Sequence, residues 1–217
     1  MSMATTTPTA ANTFSLTSVT LEVADPEAAR SFYCAFGVDA YIGLRACDAH
    51  STGFRGFTLG LTVSGPATVD GFFAAAVAAG ATVLKPTAKS LWGYGGVVRA
   101  PDGTIWKIAT SAKKDTGPDT REIDEIVLLL GVEAVKDTRK LYTGLGMTVA
   151  KGFGGKYVEF APARDGGPVK LALYKRRALA KDLGVPADGT GSHRVALGGA
   201  AEAFTDPDGF TWETTAA

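Results

Sequence analysis

Apolar and polar positions alternate over residues 16–23, a Val-, Thr- and Leu-rich stretch that predicts a half-buried strand. Asp25-Pro26-Glu27 follows as a helix start: a capping side chain, a proline at the first helical position and an acid in the first turn. Ala29, Phe32, Tyr33 and Phe36 then recur at helical spacing up to Gly37. Strands are expected over 40–46 and 54–63, and Val69, Phe72, Phe73 and Ala76 form a second helical stripe closed by Gly80. Three strands over 81–86, 95–99 and 104–110 complete this half, the last two joined by the turn Pro101-Asp102-Gly103.

Residues 112–121 lose all apolar periodicity and read as a linker. The pattern then restarts. A strand is expected over 125–130, and Ala134, Thr138, Leu141, Tyr142 and Leu145 mark a helix ending near Gly146. Strands over 147–151, 156–161 and 169–174, a short helix over 177–183, and strands over 193–198 and 210–215 follow. The second half closes as the first does, on Pro207-Asp208-Gly209 and a tryptophan. A repeat of this length signals duplicated domains rather than a solenoid. We divide the chain into a disordered tail (1–13), a first domain (14–111), a linker (112–122) and a second domain (123–217). Each half is trimmed at a different place. The first is short of strands in its front module, and the second has no counterpart of the helix at Val69–Ala79. Packing between the halves, or a homodimer, would cover the faces left open.

Composition narrows the function. Lys and Arg number 22, as do Asp and Glu, so no net field favours nucleic acid or an anionic membrane. A 46% hydrophobic, 20% charged chain has ample core material. No stretch has the length of a membrane helix, and the first dozen residues lack the pattern of a signal peptide. Cys34 and Cys47 show no CxxC spacing; Cys34 is expected as a small core hydrophobe, and a reduced, cytoplasmic setting fits. Lys175-Arg176-Arg177 is expected as a solvated face, and Gly152-Phe153-Gly154-Gly155 as a turn between strands.

The order strand, Asp-Pro-Glu helix ending in Phe32-Tyr33, strands, then Pro-Asp-Gly-x-x-Trp resembles the vicinal oxygen chelate superfamily, which includes glyoxalase I, extradiol dioxygenases and bleomycin-binding proteins. Residues 23–33, 79–86, Trp92-Gly93-Tyr94-Gly95-Gly96 and both Pro-Asp-Gly hairpins carry the resemblance, which spans 14–111 and 123–214. It implies an α+β fold of tandem βαβββ modules whose curved sheets enclose a cleft. It also implies metal ligands at the start of a module's first strand, His or Gln, and on its last strand, Glu.

In the first half those positions hold Ser18 and Lys107, and a lysine cation cannot ligate a divalent metal in the ordinary way. In the second half, Glu125, His193 and Glu213 match, with Arg194 the alternative to His193 if the strand slips by one residue. Such a set would hold one divalent metal (Mn, Fe, Ni, Zn or Mg), with Glu213 moving a proton. Trp92, Tyr94, Trp106, Lys107, Tyr157 and Tyr174 are the candidate ligand-binding residues, the aromatics being equally suited to a sheet core. Two functions follow from the resemblance. The favoured one is a small-molecule-binding protein without the full metal site; the alternative is a metal-dependent lyase, isomerase or dioxygenase using Glu125, His193 and Glu213.

Overall fold

The computed structural model describes residues 14–115, 117–162 and 167–214, so the expected tail over 1–13 lies outside it. In chain order the strands and helices are β1 (Ser18–Val23), α1 (Pro26–Phe36), β2 (Gly43–Ala46), β3 (Ser51–Gly53), β4 (Phe57–Thr62), α2 (Pro66–Ala78), β5 (Thr82–Ser90), β6 (Gly93–Arg99) and β7 (Ile105–Thr110). The second half adds β8 (Glu125–Val132), α3 (Val135–Gly144), β9 (Val149–Phe153), β10 (Tyr157–Phe160), β11 (Val169–Lys175), α4 (Arg176–Leu183), β12 (Gly189–Gly191), β13 (Val195–Ala200), β14 (Phe204–Thr205) and β15 (Thr211–Thr214).

The helix signals act as expected. Asp25 Oδ1 accepts the amides of Glu27 and Ala28, and Gly37 ends α1 at φ 90°, a left-handed backbone that glycine adopts without steric cost. Ala29, Phe32, Tyr33 and Phe36 form its buried stripe. Cys34 lies off that stripe and is exposed, which corrects its expected place in the core.

Strand order shows how the repeat is assembled. One sheet runs β5-β6-β7-β4-β8-β11-β10-β9 and the other β14-β15-β13-β1-β2. The first contains two complete βαβββ modules, β4-α2-β5-β6-β7 and β8-α3-β9-β10-β11, joined back to back by the antiparallel β4–β8 pair. The second contains the trimmed ones: β1-α1-β2, short of two strands, and β13-β14-β15, without a helix. Both sheets therefore draw strands from both halves of the chain. A ribbon of β3 with β12 ties the halves once more. Residues 111–124 hold no helix or strand among those described, but they are packed down. Arg121 lies over the Phe72 ring at 4.2 Å, and Asp115 Oδ1 accepts the amide of Ala67 at the start of α2.

Alternate strand residues point to opposite faces. Leu59, Leu61, Trp106, Ile108, Ile126, Leu128 and Leu130 of the large sheet, with Val19, Leu21, Leu197 and Trp212 of the small one, turn inward to a shared core with α1, α2 and α3. Their neighbours face outward. The two Pro-Asp-Gly hairpins are anchored alike, by a tyrosine of a preceding helix. Tyr33 donates to Asp102 Oδ2 at 2.8 Å, and Tyr142 donates to Asp206 Oδ2 at 2.5 Å while accepting from Trp212 Nε1 at 3.0 Å.

Candidate functional site

The outward face of the large sheet is where a cleft forms, and α4 lies in it. Leu179, Ala180 and Leu183 pack with Phe54, Val97 and Ile105, and against Leu84, Leu129 and Tyr174. Apart from Phe54, those residues come from β5, β6, β7, β8 and β11, a span of five strand spacings, or roughly 24 Å if flat. A helix of eight residues is only about 12 Å long and about 10 Å across. The sheet must therefore curl around the helix. Gly131 makes room for it, since a Cβ there would lie 3.3 Å from Leu179 Cδ2 and 3.2 Å from Arg176 Cα.

Both ends of α4 are pinned. Arg176, expected on a solvated face, instead donates from Nη2 to the Phe54 carbonyl at 2.7 Å and from Nε to the Ala187 carbonyl at 3.2 Å. At the other end Lys85 Nζ donates to the Asp182 carbonyl at 2.5 Å, satisfying a helix-terminal acceptor. Lys107 Nζ and Asp182 Oδ2 form an ion pair at 2.5 Å.

Beside this C-terminal end of α4 is a hollow of about 320 Å³, bounded by Lys85, Lys89, Trp92, Gly95, Lys107 and Asp182 among others. Trp92 projects at its rim with 84% of its surface exposed, and Lys107 rises from its floor. Tyr94 contributes less than expected. Its hydroxyl donates to Asp70 of α2 and accepts from the Thr87 hydroxyl, which fixes its side chain toward α2. Trp106 is fully buried on the opposite face from Lys107, 5.2 Å from the Phe36 ring, so it belongs to the core and not the cleft.

Tyr157 and Tyr174 meet edge to face at 6.2 Å in the other half of the cleft. Tyr157 donates to Glu159 Oε2 at 2.9 Å; burial first, then the Glu159 carboxylate, push its phenol above the usual range. Lys151 pairs with Glu159 and Lys170 with Glu125, so each carboxylate here has its own cation.

The metal set expected in the second half is not brought together. Glu125 begins β8 of the large sheet, whereas Glu213 belongs to β15 of the small one. His193 precedes β13, stacks on Phe210 at 4.1 Å and directs its ring nitrogens at the carbonyls of Arg55 (2.5 Å) and Asp208 (2.9 Å). Arg194 also lies ahead of the strand, at φ 57°, with Nη1 bonded to the Cys47 carbonyl. Pairing across halves explains the separation. Ser18 and Glu213 share one row of the small sheet through Gly198, while Lys107 lies two strands from β8 through Gly60 and Val127.

Glu213 is occupied by a different cation. Arg45 of β2 donates to Glu213 Oε1 at 2.8 Å and to Glu22 Oε1 at 2.6 Å, and these two bonds raise its own pKa. Lys107 at one glutamate position and a guanidinium on the other do not fit a divalent metal. Among the described residues no three His, Cys, Asp or Glu side chains cluster as a ligand set. Arg45→Ala should leave Glu22 and Glu213 as neighbouring unpaired carboxylates, and manganese titration followed by EPR should then show a weak site, with Kd on the order of 10⁻³ M, that the wild type lacks. Identical titrations of the two proteins would refute the assignment of Arg45 as the neutralising charge.

The sequence reading missed Arg45, Lys85, Lys89 and Asp182. A larger hollow of about 540 Å³ lies beside His193, where Arg55, Arg176 and Arg177 are balanced by Glu133, Asp188 and Asp208.

No family profile matches the sequence, and no curated protein does either. Solved structures do. A point mutant of glyoxalase I from Zea mays is similar at TM-score 0.59, with 14% identity over 92% of this chain and 92% of that one. Glyoxalase I from Zea mays without that change is similar at TM-score 0.57, with 12% identity over 92% and 91%. A candidate dioxygenase from Bacillus subtilis is similar at TM-score 0.54, with 15% identity over 90% of this chain and 72% of that one. Paired βαβββ modules together with these likenesses identify the fold of the chain as that of glyoxalase I.

Proposed function

We propose that this chain binds a small molecule in the hollow between the β5–β6 hairpin, β7 and the end of α4. The observation that carries the proposal is Trp92, a large aromatic held in solvent at the rim of a concave, sheet-floored site beside Lys107. Its position is set by a tight turn: the Trp92 amide donates to Ser90 Oγ, which itself donates to the Gly93 carbonyl. With the backbone fixed in this way, only the two side-chain torsions of Trp92 lose freedom on stacking against a ligand. Turnover of the glyoxalase or dioxygenase type has less support, since the carboxylates that would serve it are each paired with a cation. Two free thiols support a reducing compartment such as the cytoplasm, and no described helix is long and apolar enough to cross a membrane.

A thermal-shift screen of a small-molecule collection against the wild type and Trp92→Ala tests the proposal. Saturation at 100 times Kd stabilises by about 2.7 kcal/mol, which corresponds to a rise of roughly 6 °C in Tm for a chain of this size. The expected result is a set of compounds that shift the wild type by that amount and the variant by less than half. Hits that shift both proteins equally would place binding elsewhere.

A further inference from the structure

We infer that the occupant of this hollow is a flat aromatic anion, a ring system bearing a carboxylate or sulfonate. The inference rests on the small-molecule reading above and adds the chemical class. Lys85, Lys89 and Lys107 border the hollow, against a single acidic residue, Asp182. They are not equivalent. Lys85 is engaged by the carbonyls at the end of α4. Lys107 is held by Asp182, but both partners are partly open, with side chains 40% and 44% exposed, so the pair can exchange for a ligand anion at small cost. Lys89, opposite Tyr94 in the β5–β6 ladder, is exposed and adds positive charge at the border, and its side chain has no ion pair or hydrogen bond among the described residues.

The shape selects for flatness. Ala88, Gly93, Gly95 and Ala109 border the hollow, so its floor is close to bare backbone. Gly95 cannot carry a side chain without displacing that floor: a Cβ would lie 2.5 Å from the Ile108 carbonyl oxygen and 2.9 Å from the Ala109 Cβ. A ring can therefore approach the strands directly, with the Trp92 indole as one wall and the Lys107 amine at its edge. Aromatic contact supplies area, and the amines select the anion and speed its capture.

Two probes with the same ring skeleton separate these contributions: 8-anilino-1-naphthalenesulfonate and its uncharged counterpart N-phenyl-1-naphthylamine. Equilibrium fluorescence titrations at 50 mM and 300 mM salt would be run on the wild type, Trp92→Ala, and the pair Lys89→Ala with Lys107→Gln. Circular dichroism and Tm would confirm that each variant is folded, and Lys89→Glu alone would serve if the double replacement is not. The expected result is at least tenfold tighter binding of the sulfonate at low salt, an advantage that shrinks as salt rises. The lysine replacements should remove that advantage, and Trp92→Ala should weaken both probes. Equal affinity for the two probes, still lost in Trp92→Ala, would overturn the anion assignment and leave the binding site standing. A sulfonate preference that survives the lysine replacements would also overturn it. Binding of neither probe, or binding indifferent to Trp92, would overturn both readings.

Discussion

Replacing Asp206 with alanine should lower the unfolding free energy by about 3 kcal/mol in urea, with an unchanged m-value. The carboxylate is 4% exposed and accepts three hydrogen bonds: from the Tyr142 hydroxyl at 2.5 Å, the Asp208 amide at 3.0 Å and the Phe210 amide at 2.9 Å. Alanine leaves all three donors without that acceptor, and it loosens the Tyr142 hydroxyl that receives Trp212 Nε1. The second hairpin is then held to α3 by Thr138, which donates to Asp208 Oδ2 at 2.8 Å, and no longer by Tyr142. Asp206→Asn should cost less, because an amide oxygen can still accept the two backbone protons.

The same residue gives a pH dependence. Burial, the largest influence, raises the Asp206 pKa above the usual carboxylate range despite its hydrogen bonds. The folded state then holds this proton more tightly than the unfolded chain does. Its contribution to stability is full below the unfolded value, near about 4, and is lost as pH rises through the higher folded value. The stability of the wild type relative to Asp206→Asn should accordingly be greater at pH 4 than at pH 7. A difference that grows with pH would contradict the burial argument.

The elements were legible in the sequence because they depend on local chemistry. Asp25-Pro26 begins α1, Gly37 ends it, and the Phe32, Tyr33, Phe36 stripe is the one that is buried. The Pro-Asp-Gly turns were equally plain, and so were the two trimmed modules. What the chain did not disclose is which strands become neighbours. Alternation in β8 says that Glu125 and Val127 share a face, but nothing in it says that β4, and not β15, lies alongside. Reading each half as a closed unit therefore grouped Glu125 with Glu213, which the sheets separate. Short strands escaped for a related reason. β3 and β12 are three residues each, rich in Gly, Ser and Thr, and owe their form to each other and not to any local preference. Trp92 and Trp106 also look alike in sequence, each next to a glycine or lysine. Only the register of β7 against β4 sends Trp106 inward with Leu59 and leaves Lys107 opposite Gly60. Arg45 had no signal at all, since its meaning depends on Glu22 beside it and on Glu213 at the far end of the chain.

Helix α4 decides how much of the cleft is available, and Leu183→Asp should release it. Leu183 is fully buried, and losing its transfer free energy costs roughly 2–3 kcal/mol. Burying an unpaired carboxylate among Val97, Ile105 and Phe54 would add several kcal/mol more. Local detachment is the cheaper response, because α4 is short, is joined to the sheet by one small apolar cluster, and is followed by Gly184 in the left-handed conformation. Hydrogen exchange over residues 176–185 should therefore speed up by at least tenfold, while β8 and β11 keep their protection. Trypsin should cut at Arg176, Arg177 or Lys181 in the variant well before it cuts the wild type. The hollow would feel the loss directly, since Asp182 leaves Lys107 and the wall formed by the end of α4 is gone. Any ligand whose binding depends on Trp92 should then bind more weakly, even though Trp92, Gly95 and Lys107 are untouched. Unchanged exchange over 176–185 would mean that the terminal clasps of Arg176 and Lys85, rather than the apolar face, hold the helix in the cleft.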